Sequence, residues 1–119
     1  LPSICLMKTI TLFRPVGPDE YKLIEQSNFA EFPPRLPEQP IFYPVMNKEY
    51  AEQIAVEWNV PAYGCGYVTE FDIDKDYASK FIIQNVGNVT HNELWIPAEE
   101  LIEFNKNIIG KIRIISKFD

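Results

Sequence analysis

The first strand and helix are predicted by the spacing of apolar side chains near the start of the chain. From Lys8 to Arg14, Ile10 and Leu12 fall on one face and the residues between them on the other, as in a half-buried β-strand. Pro18 then suits the first position of a helix, and apolar residues follow at helical spacing. The pattern therefore predicts a short helix over residues 18–27.

The clearest helical pattern lies in the middle of the chain. Asn47 is a suitable N-cap, and the apolar residues after it recur on one helical face. These residues are Tyr50, Ala51, Ile54, Ala55 and Trp58. Pro61 and the glycines that follow predict a loop from Asn59 to Gly66.

The remaining elements are predicted from β-forming runs separated by proline and glycine. Four prolines make residues 32–40 a stiff extended loop. Further strands are predicted at Ile41–Val45, Tyr67–Ile73, Phe81–Val86, Asn92–Ile96 and Lys111–Ser116. Other elements are a turn or brief helix at Asp74–Lys80, a turn at Gly87-Asn88 and a helix opening at Pro97. The order β-α-β-α-β-β-β-α-β predicts a compact α+β domain, with a mixed or antiparallel sheet and about three helices.

Composition and charge narrow the classes of function. The chain has 119 residues, of which 46% are hydrophobic, which suits one globular domain. No apolar run reaches the roughly 20 residues of a membrane span, so we expect no membrane partner. The formal net charge of -6 has the wrong sign for non-specific nucleic-acid binding. A small anionic cofactor stays possible, because a single Arg or a few backbone N–H groups bind it locally.

The cysteines and the single histidine predict neither a disulfide nor a metal site. Cys5 and Cys65 lie 60 residues apart, and no His or second Cys stands near either with metal-ligand spacing. We therefore expect reduced thiols in a cytoplasmic protein. Met7 is a suitable natural start, so residues 1–7 are interpreted as an extension or tag remnant and residues 8–119 as the single domain.

Four side chains are candidates for chemistry, each with a structural alternative. Glu93 lies opposite Leu94 on its strand, where it serves as a site acid or as a solvated surface acid. Arg14 ends the first strand and suits binding of phosphate or carboxylate, or else a surface ion pair. Tyr43 offers a ring for stacking or packs in the core. His91 assists the acid two positions later or is a hydrogen-bonded turn residue.

The order of these residues resembles that of known ADP-ribosyltransferases. The pattern consists of Phe13-Arg14-Pro15-Val16-Gly17, Ile41-Phe42-Tyr43-Pro44-Val45, a helix with Tyr50-Ala51 and Ile54-Ala55, and His91-Asn92-Glu93. With Phe32-Pro33-Pro34-Arg35-Leu36-Pro37 and Trp95-Ile96-Pro97-Ala98-Glu99-Glu100-Leu101, it also resembles small bacterial proteins labelled ADP-ribosylation/crystallin J1. The resemblance spans residues 8–116 and implies an ADP-ribosyltransferase-like domain.

The resemblance also implies roles for the four candidates. Arg14 would orient the ribose or phosphates of nicotinamide adenine dinucleotide (NAD), and Tyr43 would stack on nicotinamide. Glu93 would hydrogen-bond the ribose and stabilise oxocarbenium-like charge. His91 takes the place where related toxins often carry Gln or Glu.

Two functions follow as hypotheses. The first is NAD binding with transfer of ADP-ribose to an unidentified protein or small-molecule acceptor, or cleavage of the nicotinamide bond, with no metal. The second is a non-catalytic protein-binding module, immunity- or antitoxin-like. An enzyme requires that Arg14, Tyr43 and Glu93 share one cleft.

Overall fold

The structure is a computed structural model that describes residues 8–87 and 89–119. The strands are β1 (Thr9–Val16), β2 (Ile41–Phe42), β3 (Gly66–Asp74), β4 (Ile83–Asn85), β5 (Asn92–Leu94), β6 (Ile96–Pro97) and β7 (Ile108–Phe118). The α-helices are α1 (Pro18–Gln26), α2 (Lys48–Ile54), α3 (Val60–Tyr63), α4 (Lys75–Ala78) and α5 (Leu101–Lys106). A π-helical segment, Ala55–Asn59, joins α2 to α3, and a 3-10 turn, Ala98–Glu100, precedes α5.

An antiparallel sheet in the order β1-β3-β7 carries the structure. The pairing of β1 with β3 runs without interruption from Thr9 opposite Asp74 to Val16 opposite Tyr67. Beside β1, Val45 forms single bridges to Phe13 on one side and to Glu93 on the other. Val45 therefore lies between β1, which carries Arg14, and β5, which carries Glu93.

Apolar side chains from the sheet, α1 and α5 form the main core. Phe71 on β3 packs edge-on against Phe32 and Phe104, with ring centroids 5.0 and 6.0 Å apart. Helices α2 and α3 and the π-helical segment between them form one continuous helix, the central helix. A smaller cluster of Val45, Ala51, Ala55 and Val68 packs between this helix and the sheet. The prediction of a compact α+β domain is confirmed. Across the described ranges there are four separate helical regions rather than about three, because α4 is a helix of its own.

Several element boundaries differ from the sequence-based predictions. The strand expected at Ile41–Val45 ends at Phe42, because Pro44 has no N–H to donate, and Val45 joins the sheet only through its bridges. The strand expected at Asn92–Ile96 is divided at Trp95 into β5 and β6, which pair with different strands.

The loop expected from Asn59 to Gly66 is instead helical as far as Tyr63. Pro61 has no N–H, and its ring would clash with the carbonyl four residues earlier in a regular α-helix. The helix widens to π geometry just before this residue and so continues past it. The turn expected at Gly87-Asn88 includes Asn88, which lies outside the described residues. Residues 1–7, which form the predicted extension and contain Cys5, also lie outside them.

The last helix and the last strand also have bounds that differ from the predicted ones. The helix expected at Pro97 begins as the 3-10 turn and becomes α-helical at Leu101, and β7 extends beyond Lys111–Ser116 at both ends.

Within residues 8–87 and 89–119, none of the helices combines the length and apolar character that a bilayer crossing requires.

Candidate functional site

A cleft of about 820 Å³ opens between the first turn of α1, the proline-rich loop and the central helix. Its size falls in the range of small-molecule sites. Arg14, Tyr43 and Glu93 all line it. The three residues that an enzyme requires in one cleft are therefore brought together. His91 is not among the described residues that line the cleft.

Glu93 presents a buried and oriented carboxylate to this cleft. Its exposed fraction is only 7%, so it is not a solvated surface acid. The Tyr50 hydroxyl donates to Oε2 across 3.0 Å, and Trp95 Nε1 donates to Oε1 across 2.7 Å. Because each carboxylate oxygen has its own donor, the group is held in one orientation.

Tyr50 belongs to the site because the start of α2 is fixed. Asn47 Oδ1 accepts a hydrogen bond from the Tyr50 backbone N–H across 3.1 Å, as the predicted N-cap requires. Burial of the Tyr50 hydroxyl, together with its hydrogen bond to Glu93, raises its pKa to about 12. The helical pattern predicted Tyr50 only as part of an apolar face. The feature that could have indicated a role in the site is the Tyr50 hydroxyl, which needs a hydrogen-bond partner when it is buried.

Arg14 lies in the cleft wall, and its guanidinium already has a carboxylate partner. Nε donates to Glu20 Oε2 across 2.7 Å, and Nη2 donates to Glu20 Oε1 across 2.9 Å. Arg14 is only 5% exposed. The ion pair that was its structural alternative therefore exists, but it is buried and does not lie at the surface. Its Cζ also lies 4.6 Å from the centroid of Phe42 and 5.6 Å from that of Tyr43.

Tyr43 is partly open to the cleft. Its exposed fraction is 39%, which contradicts the alternative of a core aromatic. One side of its ring faces the Arg14 guanidinium, so the two residues form adjacent parts of the same wall. An aromatic ring in this position has surface available for stacking on a flat ligand.

His91 contacts Tyr50 and Gln53 next to the cleft. Its ring stacks on Tyr50 with centroids 4.3 Å apart and planes 17° apart, and its Nε2 lies 3.2 Å from Gln53 Oε1. The alternative of a hydrogen-bonded residue describes this position. His91 therefore reaches Glu93 through Tyr50, whose hydroxyl donates to the carboxylate.

Three further features of the cleft were not predicted from the sequence. Glu20, in the first turn of α1, holds Arg14 in an ion pair. Arg35 lies beside this pair, with Nη1 4.0 Å from Glu20 Oε1. Trp58 and Tyr63 line the cleft and are 71% and 61% exposed, although the helical pattern had suggested that Trp58 belongs to an apolar face. Arg14 and Glu20 are only six residues apart but lie on different elements, β1 and α1, so the spacing of apolar residues does not predict their pairing.

Comparison of the chain with protein families, curated proteins and solved structures finds no match. The roles assigned to Arg14, Tyr43, Glu93 and His91 stay predictions. In the described ranges, no three His, Cys, Asp or Glu side chains form a group able to hold a metal ion. The cleft thus combines an oriented carboxylate, aromatic surface and the Arg14 guanidinium with its Glu20 partner. This set suits a ligand that carries flat rings, hydroxyls and anionic groups.

Proposed function

We propose that the cleft binds NAD and that the protein is ADP-ribosyltransferase-like, acting at the bond between nicotinamide and ribose. The observation that carries the proposal is the buried Glu93 carboxylate, oriented by Tyr50 and Trp95 on the wall of an 820 Å³ cleft. The α+β fold and the motif order described above agree with it. In this proposal NAD is a co-substrate.

Glu93 would act by charge stabilisation. When the bond from the ribose C1′ to the nicotinamide nitrogen breaks, the electron pair leaves with nicotinamide and positive charge develops at C1′. A fixed carboxylate in a poorly hydrated site favours that charge more in the transition state than in the ground state. An acceptor nucleophile then attacks C1′ and releases a proton. The acceptor is a protein, a small molecule or, for hydrolysis, water.

The aromatic residues would position the rings of the ligand. Tyr43 is exposed on the wall that also carries Arg14, and this placement supports stacking on nicotinamide. Trp58 lines the cleft from the π-helical segment with most of its surface free. Large planar side chains provide contact area at a low cost in conformational entropy, which suits recognition of flat rings.

Titration with NAD, combined with an assay of nicotinamide release, tests the proposal. Glu93→Gln should abolish release, because loss of the negative charge costs on the order of 3 kcal/mol in the barrier. The matched control is Glu70→Gln, which removes a carboxylate that pairs with Arg113 on the sheet and should leave release unchanged. Equal release by wild type and Glu93→Gln, with equal melting curves, would reject the role of Glu93.

A second candidate function is a non-catalytic protein-binding module. Two observations favour it: the Arg14 fork is engaged by Glu20, and Trp58 and Tyr63 expose large apolar surfaces at the cleft. Exposed aromatic side chains are common anchors of protein interfaces. Wild-type protein that binds no NAD at millimolar concentration would favour this module over the enzyme.

A further inference from the structure

β4 forms an outer edge of the strands. Among the described strands it pairs only with β5, on its inner side. Beyond β5 lies Val45, which bridges both β5 and β1. The outer side of β4 therefore faces none of the strands of residues 8–87 and 89–119. Such an edge offers backbone N–H and C=O groups to a further strand.

The hydrogen bonds of β5 indicate which residue of β4 presents its backbone to this edge. The Leu94 N–H donates to the Pro44 C=O across 3.0 Å, so the backbone groups of Leu94 point away from β4. Ile83 lies directly opposite Leu94. Residues opposite each other in an antiparallel pair direct their N–H and C=O groups either towards each other or away from each other. The N–H and C=O of Ile83 therefore point to the outer edge.

The side chains at this edge are apolar and exposed. Ile83 is 54% exposed, and Ile82, which precedes it, is 77% exposed. Val86, which follows β4, is 46% exposed. Apolar residues on an edge strand favour pairing with another strand, because pairing removes both apolar surface and backbone polar groups from water.

The sequence around β4 carries no charge. Residues 81–92 contain no Asp, Glu, Lys or Arg, although these residue types make up 24% of the chain. The other edge strand, β7, carries Lys111 and Lys117, and its Ile112 N–H donates to the Phe29 C=O. Lysines on an edge strand oppose pairing with a further strand. β4 is therefore the edge that lacks this protection.

A second copy of the chain is the partner that fits this edge. Each copy has a formal net charge of -6, so two copies repel each other. This repulsion is weakest at an uncharged segment, and the same segment offers no charge that would select an acidic or a basic peptide. A two-fold axis also brings the same surface of both copies together, so each copy satisfies the other.

We propose that the protein forms a two-fold symmetric dimer through antiparallel pairing of β4 with β4 of a second copy, with Ile83 at the axis. The Ile83 N–H of each copy donates to the Ile83 C=O of the other, and the two Ile83 side chains lie side by side. The neighbouring strand also partly covers Ile82. Dimer formation depends neither on NAD nor on the roles of Arg14, Tyr43 and Glu93, so it stands apart from the proposed function.

Sedimentation velocity over a range of protein concentrations tests the dimer. Wild type should change from one to two chains per particle with a dissociation constant of about 1 to 100 μM, because a short strand pair makes a small interface. Ile83→Lys should raise this constant by about tenfold or more, because two ammonium groups then meet in place of two apolar side chains. Ile102→Lys is the matched control, because Ile102 is 71% exposed on α5 and the change in net charge is the same.

A mixture of two variants tests the position of the axis. Ile83→Lys and Ile83→Glu should each be monomeric at concentrations where the wild type is dimeric. An equal mixture of the two should form dimers, because opposite charges then meet at the axis. A defect in the fold of either variant would not produce this recovery. Ile82→Lys, at a side chain that is 77% exposed, should also weaken the dimer and is available if the Ile83 variants unfold.

The dimer is overturned if the wild type stays monomeric at millimolar concentration, which would leave this edge to a different partner. It is also overturned if Ile83→Lys, shown by circular dichroism to be folded, associates as Ile102→Lys does, or if the mixture of Ile83 variants shows no recovery. Amide hydrogen exchange gives a direct check, because the Ile83 N–H should be protected only above the dissociation constant. Equal exchange at both concentrations would exclude β4 from the interface.

Discussion

The Tyr50 hydroxyl donates a hydrogen bond to Glu93 Oε2 across 3.0 Å and so joins the central helix to β5. The two residues are 43 positions apart in the sequence. His91 stacks on the outer face of the Tyr50 ring, so the tyrosine is held on one side by an aromatic contact and at its tip by a carboxylate. The candidate site is therefore built into the packing of the helix on the sheet.

This relationship predicts loss of stability at alkaline pH. The pKa of Tyr50 is raised to about 12 in the folded protein, mainly by burial and then by Glu93, whereas an unfolded tyrosine titrates near 10. The folded state thus favours the neutral phenol. Its contribution is fully present below about pH 10 and is lost as the pH rises towards about 12. Urea unfolding at a series of alkaline pH values measures this loss.

Tyr50→Phe should unfold more easily at neutral pH and should lose less stability between about pH 10 and about pH 12. Tyr63→Phe is the control, because Tyr63 is 61% exposed and should keep the wild-type pH profile. Identical alkaline profiles for Tyr50→Phe and wild type would contradict the coupling to Glu93.

Arg14→Lys should destabilise the fold. An ammonium cannot reproduce the two hydrogen bonds that the buried guanidinium makes to Glu20, so we expect a loss of about 1 to 3 kcal/mol in the free energy of unfolding. Arg113→Lys is the matched control, because its side chain is 41% exposed and the same change should cost less than about 1 kcal/mol. Equal effects in chemical denaturation would show that burial of the Arg14 pair has no energetic weight.

Gly66→Ala should disturb the packing of the central helix on β3. A Cβ at this position would lie 2.7 Å from Asn59 Cβ and 3.1 Å from the Ala55 carbonyl oxygen. Because the backbone must move, we expect a loss of about 1 to 3 kcal/mol in the free energy of unfolding. At Gly17 the nearest atoms to a Cβ would be those of the exposed Tyr63 ring, which can turn away, so Gly17→Ala should cost less. A melting temperature of Gly66→Ala equal to wild type would contradict this packing.

Trp58→Ala separates ligand binding from stability. Trp58 is 71% exposed, so its loss should change the free energy of unfolding by no more than about 0.5 kcal/mol. If the cleft binds NAD, loss of a stacking ring should weaken binding by about 1 to 3 kcal/mol in calorimetry. Ile102→Ala is the control, because Ile102 is equally exposed but lies on α5 outside the cleft lining described. Unchanged NAD affinity in Trp58→Ala would exclude stacking on Trp58.

The sequence by itself determined the elements that depend on local physics. Alternation placed β1, proline placed the start of α1, and Asn47 capped α2 as expected. These features depend on side chains within a few residues of the backbone they organise, so periodicity and capping chemistry suffice to predict them. The same local pattern brought Arg14, Tyr43 and Glu93 forward as candidates.

Only the tertiary structure decided how those candidates are paired. Val45 lies between β1 and β5 and bridges both, Tyr50 and Trp95 hold Glu93, and Glu20 holds Arg14. Arg35, which the sequence did not single out as a site residue, lies with its Nη1 4.0 Å from Glu20 Oε1 because the stiff loop that carries it returns to the start of α1. Burial and long-range pairing depend on which elements meet in space. Hydrophobic pattern specifies which face of an element is buried, but not which polar partner it finds there.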